Sequence, residues 1–301
     1  MRGATRVLAS AACLLALCGA GGARAEEPPA ERHAGAVPDL DCPPPVDGAE
    51  GLTGPGAMVL VGELHGTREA PAFFSSLVCA AARRAGPAGV VVGIEMARTD
   101  QGALDAFVAA PTPAAARSLL LAAGHFTDPW QDGRDSVAMV TLLEDIRRWR
   151  ASGAPIEVVA FDVAPGPQPR ADREAAMAEA LADAASRRSG ASVLIYTGNL
   201  HSRTLPSPFA PSRTPMGGHL KARFPGLRTL DFASAGGTAW LCVMTEGGSG
   251  QICGERRQGG TDRGPEPFVE LWDEPDAGGH DGIYYLGPIT ASPPAVPGPD
   301  G

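Results

Sequence analysis

The chain has 301 residues, 44% of them hydrophobic and 20% charged, with a formal net charge of −9. That length supports a sizeable core and that mix excludes a wholly disordered chain. The negative balance excludes general nucleic-acid binding, which needs clustered cations to displace counterions. No apolar run beyond the first 25 residues is long enough to span a bilayer, so no integral membrane segment is expected once that stretch is removed.

Residues 1–25 read as a signal peptide. Arg2 and Arg6 give a positive start, Val7–Ala20 is apolar, and Ala23-Arg24-Ala25 has the A-x-A form of a cleavage site. Cys18 raises the alternative of a lipoprotein signal, for which the Leu directly before it is a poor fit. The expected compartment is periplasmic or extracellular. Residues 26–50, rich in Pro, Glu and Ala, read as an exposed lead-in; residues 51–290 read as one α/β domain; and 291–301 read as a disordered Pro-rich tail. Four Cys remain after the signal, Cys42, Cys79, Cys242 and Cys253. An even number in an exported chain favours disulfides, with three pairings open. The stretches around Leu241 and Ile252 look like hairpin strands joined by Gly247–Gly250, which favours Cys242–Cys253 and leaves Cys42–Cys79.

Four short apolar runs read as strands covered on both faces: Ala57–Gly62, Gly89–Met96, Ile156–Asp162 and Ser192–Gly198. Helical patterns lie between them, over Ala70–Ala85, Arg134–Arg150 and Ala171–Arg188. Such alternation predicts a mainly parallel central sheet flanked by helices. Further on, Leu227–Ala233, Thr238–Met244, Gln251–Gly254 and Gly282–Leu286 look like strands with turn-like links and predict an antiparallel C-terminal extension.

Ligands bind at the carboxyl ends of strands in such a sheet, and ionisable residues gather at those ends. The first strand runs into Gly62-Glu63-Leu64-His65-Gly66, the second into Gly93-Ile94-Glu95-Met96, the third into Phe161-Asp162 and the fourth into Gly198-Asn199-Leu200-His201. Glu63 and His65 are two apart, which puts them on one side of an extended backbone. A single strand-end Glu is commonly a cap or an ion-pair partner, and a lone His is commonly structural; His33, His125, His219 and His280 take that bland reading. Repetition of apolar strand, Gly and ionisable residue sets Glu63, His65, Glu95 and His201 apart, with Asp162 behind them. The loops at 110–135 and 202–218 are expected to shape the pocket.

These motifs, with Thr214-Pro215-Met216-Gly217-Gly218-His219 and Ala235-Gly236-Gly237-Thr238-Ala239-Trp240, resemble the superfamily that joins erythromycin esterases, ChaN-like haem-binding proteins and Tiki/TraB proteins. The resemblance extends from about Val59 to Met244. It implies an α/β fold with Glu63, His65, Glu95 and His201 lining the site, and it places Asn199 and Met216 beside them. Members differ in activity, from macrolactone hydrolysis through metal-dependent proteolysis to haem binding, so a place is implied more firmly than a reaction.

Two imidazoles and two carboxylates suit a hydrolase that activates water on an ester or amide-like bond, with a His as proton acceptor and a Glu fixing its tautomer. Arg68 and Arg203 follow the two His motifs and can stabilise negative charge. The same four residues can hold a divalent metal, or His65 or His201 can ligate haem in a protein without catalysis. The partner expected in each case is a small molecule or a peptide. No G-x-S-x-G elbow and no G-x-G-x-x-G follows a strand, which disfavours a serine nucleophile and a dinucleotide.

Overall fold

Four strands buried along their whole length except at Ala97 and Glu157 form the middle of the sheet: β1 (Met58–Glu63), β2 (Val90–Ala97), β3 (Ile156–Asp162) and β4 (Ser192–Gly198). The computed structural model describes residues 39–164, 170–245, 248 and 250–297, all within one compact unit. The signal peptide expected over 1–25 lies outside them. Three more strands, β5 (Arg228–Ala233), β8 (Phe268–Leu271) and β9 (Gly282–Tyr285), complete a seven-stranded sheet of order β3-β2-β4-β1-β5-β9-β8. Every pairing is parallel except β8 with β9.

Alternation along the buried strands divides the core in two. Val59, Val61, Val92 and Tyr196 face one side, where they meet Phe74 and Leu77 of α1 (Glu69–Arg84) and Leu143 and Ile146 of a later helix, Val137–Ala151. Leu60, Val91 and Ile195 face the other, against Leu181 of the helix Arg170–Arg187 and Leu220 of the helix Met216–Arg223. Three short helices, α2 (Gln101–Ala109), α3 (Pro113–Leu121) and α4 (Gly124–Thr127), precede Val137–Ala151, which is therefore α5. Arg170–Arg187 is α6, α7 is Asn199–Ser202 and Met216–Arg223 is α8.

This arrangement follows from handedness. From β1 the chain moves through α1 to β2 and through α5 to β3, in one direction along the sheet; from β3 it returns through α6 to β4 and through α8 to β5. Parallel crossovers are right-handed, so opposite directions of travel put the two helix pairs on opposite faces. β1 and β4 are neighbours in register, with Glu63 beside Gly198. The segments leaving them diverge to opposite faces, and a crevice opens at their carboxyl ends.

Several boundaries differ from the sequence reading. β5 and β9 join the parallel sheet; the antiparallel pairs are β6 (Gly236–Met244) with β7 (Gln251–Gln258), and β8 with β9. β7 runs four residues beyond the expected Gly254, and β10 (Pro288–Ile289) flanks β6 in parallel to close a second, three-stranded sheet. α5 starts at Val137 rather than Arg134 because Ser136 caps it, accepting from the Met139 N–H. The expected loop at 110–135 contains α3 and α4. Residues 39–50 are not a bare lead-in: Leu40 is buried, and the Trp149 indole donates to the Asp41 carbonyl at 3.1 Å. The expected tail is packed up to 297, with Ala291 bridging Thr67, Pro294 bridging Ser136 and Ser292 buried; residues 298–301 lie outside the described ones.

Both expected disulfides form, Cys42–Cys79 and Cys242–Cys253, the second across directly opposed residues of β6 and β7. They fit an oxidising compartment. No described helix is long and apolar enough to cross a membrane. Cys42–Cys79 closes a loop with a sequence separation of 37 and ties the segment before β1 to α1. The double variant Cys42→Ala/Cys79→Ala should therefore lose about 2–4 kcal/mol of stability, read as a lowered urea midpoint under non-reducing conditions.

Candidate functional site

The two histidines of the strand-end motifs are each held by a buried carboxylate. His65 donates its Nδ1–H to Glu63, whose other oxygen accepts from the Tyr196 hydroxyl at 2.8 Å. His201, one turn into the α7 segment after β4, has Nδ1 at 2.9 Å from Glu174 on α6. Glu174 is almost wholly enclosed and also accepts from the Met216 N–H at 2.9 Å and pairs with Arg213 at 3.3 Å. With Nδ1–H directed at Glu174, the His201 Nε2 lone pair faces Arg173 Nη1 at 3.2 Å.

Glu95 lies between the two pairs. Its Oε2 accepts from Thr197 Oγ1 at 2.7 Å and from the Gly198 N–H at 2.8 Å, both at the end of the neighbouring strand β4. Its Oε1 faces Arg134 at 3.2 Å, Arg173 at 3.5 Å and His201 Nε2 at 3.8 Å. Gly198 is the hinge of this packing. A Cβ there would fall 2.9 Å from His65 Nε2 and 3.7 Å from Glu95 Oε2, so the missing side chain is what lets the His65 ring lie over the strand end. Asp162, at the end of β3, clamps Arg173 with both oxygens at 2.7 and 2.8 Å.

Above Arg134, Arg173 and His201 opens a cleft of about 840 Å³, walled also by Asp132, Asp162, His125 and Arg213. Glu63, His65 and Glu95 are not in its wall; they sit beneath it, where Glu95 connects the two histidines. His65 keeps 23% of its side chain exposed and His201 keeps 12%.

Charge sets the protonation states. Burial disfavours the His65 cation, but the adjacent Glu63 carboxylate outweighs it and raises the imidazole to about 9. Burial likewise opposes the Glu95 anion, and the positive charges of His201, Arg134 and His65 overcome it, so Glu95 is held below the usual carboxylate range. Glu174 is lowered too, against its burial, by the bond to His201. Asp135, in the cleft wall, is pushed up to about 6 by burial.

Of the residues expected from sequence, Glu63, His65, Glu95, His201 and Asp162 come together. Met216 takes part through its backbone N–H alone. Asn199 is exposed, and its carbonyl accepts from Ser202. Arg68 and Arg203 are elsewhere: Arg68 donates to the Ala291 carbonyl at 3.2 Å beside a separate cavity of about 470 Å³, and Arg203 donates to the carbonyls of Leu205 and Ala277. The guanidiniums at the site are instead Arg134, Arg173 and Arg213. Glu174 is the other residue that the strand-end reasoning misses. Its signal is its phase: it falls three and seven residues before Met177 and Leu181, on the apolar face of α6, where a carboxylate needs a partner.

A metal does not fit the four residues first singled out. Glu95 already answers four donors, and two guanidiniums stand where a dication would have to approach it. The cleft wall is mixed, with five Asp and three Arg beside Ala97, Trp130, Val163, Ala164 and Leu200.

Comparison with solved structures places the fold. The chain is similar to an erythromycin esterase variant in its open conformation, at a TM-score of 0.61 and 12% identity over 78% of this chain and 92% of that one. It is similar also to a Bacillus cereus protein (TM-score 0.57, 12% identity, 82% and 92% covered) and to a succinoglycan biosynthesis protein (0.54, 10%, 78% and 89%). The chain thus has the erythromycin esterase fold that its motifs imply. No family model and no curated protein matches it.

Because His65 is raised from an ordinary value near 6.5 to about 9, the stability its Glu63 bond contributes is complete below about 6.5 and is lost as pH rises through about 9. Glu63→Gln removes the charge and should bring the His65 midpoint, followed by NMR of the imidazole, down toward 6.5. Stability measured against pH should then lose its decline on the alkaline side.

Proposed function

We propose that this chain is an exported hydrolase that adds water across an ester or amide-like bond of a small polar substrate held in the cleft. The observation that carries this reading is the pairing of each histidine with its own buried carboxylate on either side of Glu95. Such pairing fixes each tautomer and directs each Nε2 away from its carboxylate, that of His201 toward Arg173 in the cleft wall and that of His65 over Gly198.

The two imidazoles differ in their surroundings, and that difference assigns their roles. His201 has its Nδ1–H committed to Glu174, so its Nε2 takes a proton from the attacking water. The water oxygen bonds to the carbonyl carbon, and negative charge develops on the carbonyl oxygen. Arg173 and Arg134 are the cations available to that oxyanion, held in place by Asp162 and Asp132. His65, an imidazolium below about pH 9, lies beneath the cleft wall, so its proton reaches the leaving oxygen or nitrogen through a bridging water as the bond to carbon breaks. A second turn of proton transfers, from His201 back to His65 through solvent, restores both.

The erythromycin esterase among the structural neighbours is a hydrolase by name, and the reading gives this chain the same class of chemistry on the strength of its own side chains. The alternative of a haem-binding protein without catalysis has no support from the charged cleft. Export is supported by the two disulfides and by the A-x-A site after the apolar N-terminal stretch.

On a panel of carboxylic esters, His201→Ala and His65→Ala should each lower kcat by about 10²–10⁴-fold. Wild-type activity should fall as pH rises through about 9, where His65 loses its proton, and that limb should move to lower pH in Glu63→Gln. Ester turnover that survives both alanine variants unchanged would overturn the assignment.

A further inference from the structure

Behind α7, on the side away from the cleft, a second histidine is surrounded by acid. His280 precedes β9 and is 1% exposed; Asp231 on β5 and Asp276 in the preceding loop approach its Nδ1 at 3.9 and 3.4 Å. Ligand atoms of all three lie within 4.8 Å of one another. Nδ1 has no hydrogen-bond partner although it is sealed from solvent.

The hydrogen bonds decide which nitrogen of His280 carries its proton. Ser202 donates its hydroxyl hydrogen to the Asn199 carbonyl at 3.0 Å, so its oxygen is free to accept, and His280 Nε2 lies 3.0 Å away. With the hydroxyl hydrogen so assigned, the proton is placed on Nε2, and Nδ1 turns a lone pair toward two carboxylates. Two anions and a lone pair repel unless a cation stands between them. A proton on Nδ1 leaves the Asp276 oxygen at 3.4 Å, beyond a good N–H···O bond. Arg203 gives Nε and Nη2 to the carbonyls of Leu205 and Ala277 and turns Nη1 toward Gly278, so it is close by but forms no ion pair with either carboxylate.

We propose that Asp231, Asp276 and His280 form a site for a divalent transition metal, with zinc the best match. One imidazole and two carboxylates are donors that zinc accepts. Bonds of about 2.0–2.2 Å in a tetrahedron put ligand atoms about 3.3–3.6 Å apart; the two separations from Nδ1 are 3.4 and 3.9 Å, and the carboxylates lie within 4.8 Å of each other. The wider one closes by movement of Asp231, whose side chain is 31% exposed. Asp276 is already aimed, since its Oδ1 accepts the N–H groups of Gly278 at 2.7 Å and His280 at 2.9 Å. Those two partly open carboxylates give the ion its path inward. The remaining position takes water.

The site is built to hold α7. Ser202 is wedged under the end of β1, where a Cβ on Gly62 would fall 2.0 Å from its hydroxyl. His201 is the next residue, so a metal on His280 fixes the outer side of the short helix that carries it.

The test uses the full chain, treated with chelator and titrated with zinc chloride by calorimetry, with thermal unfolding in parallel. One zinc ion per chain and a raised Tm are expected. Asp231→Asn and Asp276→Asn, both at the solvent rim where folding is preserved, should each weaken binding at least tenfold and remove the Tm shift. Binding in His65→Asn and His201→Asn should match the wild type, which separates this site from the cleft. Absence of binding up to about 1 mM zinc, or an affinity that both Asp variants leave unchanged, overturns the proposal.

Discussion

A carboxylate at the end of a buried strand has to be answered from outside its own strand, and Glu95 is where this requirement is most severe. Its answer comes from four places: a hydroxyl and an N–H of β4, a guanidinium from the segment before α5, a second from the start of α6, and the edge of His201. Each contact is modest in water. In a low-dielectric floor each is larger, and the loss of any one costs on the order of 1–3 kcal/mol. The segments that contribute these groups share no local sequence. They are held to one point by the anion, as much as the anion is held by them.

The sheet makes that point available. Chain segments leave β1 and β4 toward opposite faces, and so the two histidines that follow those strands start side by side and end on opposite flanks of Glu95. Gly198 keeps the separation small. The electrostatic result is asymmetric although the hydrogen-bond plan is repeated, because His65 and Glu63 share one short strand exit while His201 reaches across to another helix for Glu174 and meets Arg173 on its other side. Two similar pairs thus meet different surroundings, one beside a second carboxylate and the other against a guanidinium.

Much of this is legible in the chain itself. Continuous apolar runs of about six residues mark β1 to β4, since strands covered on both faces have no polar side to show. The residues that end them are the residues at the site, because a parallel sheet collects those ends. β5 escapes this reading: Arg228, Thr229 and Asp231 interrupt its apolar pattern, and only pairing with β1 and β9 shows that it is parallel. Glu174 and Arg173 escape for another reason. Helical phase marks one of them as buried but cannot name its partner, which lies 27 residues further on. Arg68 and Arg203 show the reverse: nearness in sequence to a site histidine is overridden once a helix or turn carries the next side chain round to another face.

Trp240 joins parts of the molecule that the sheet leaves separate. Its N–H donates to the Gly66 carbonyl, just past His65, and its indole Nε1 donates to the Gln131 carbonyl, just before Asp132 and Arg134. A single residue of the β6–β7 ribbon therefore clasps the exit of one histidine and the base of one arginine together. The ribbon is clamped across by Cys242–Cys253, two residues further along β6. Cys242 Sγ itself lies 3.3 Å from the same Gln131 carbonyl, so the crosslink and the indole grip one peptide at the entrance to the segment that carries Asp132 and Arg134.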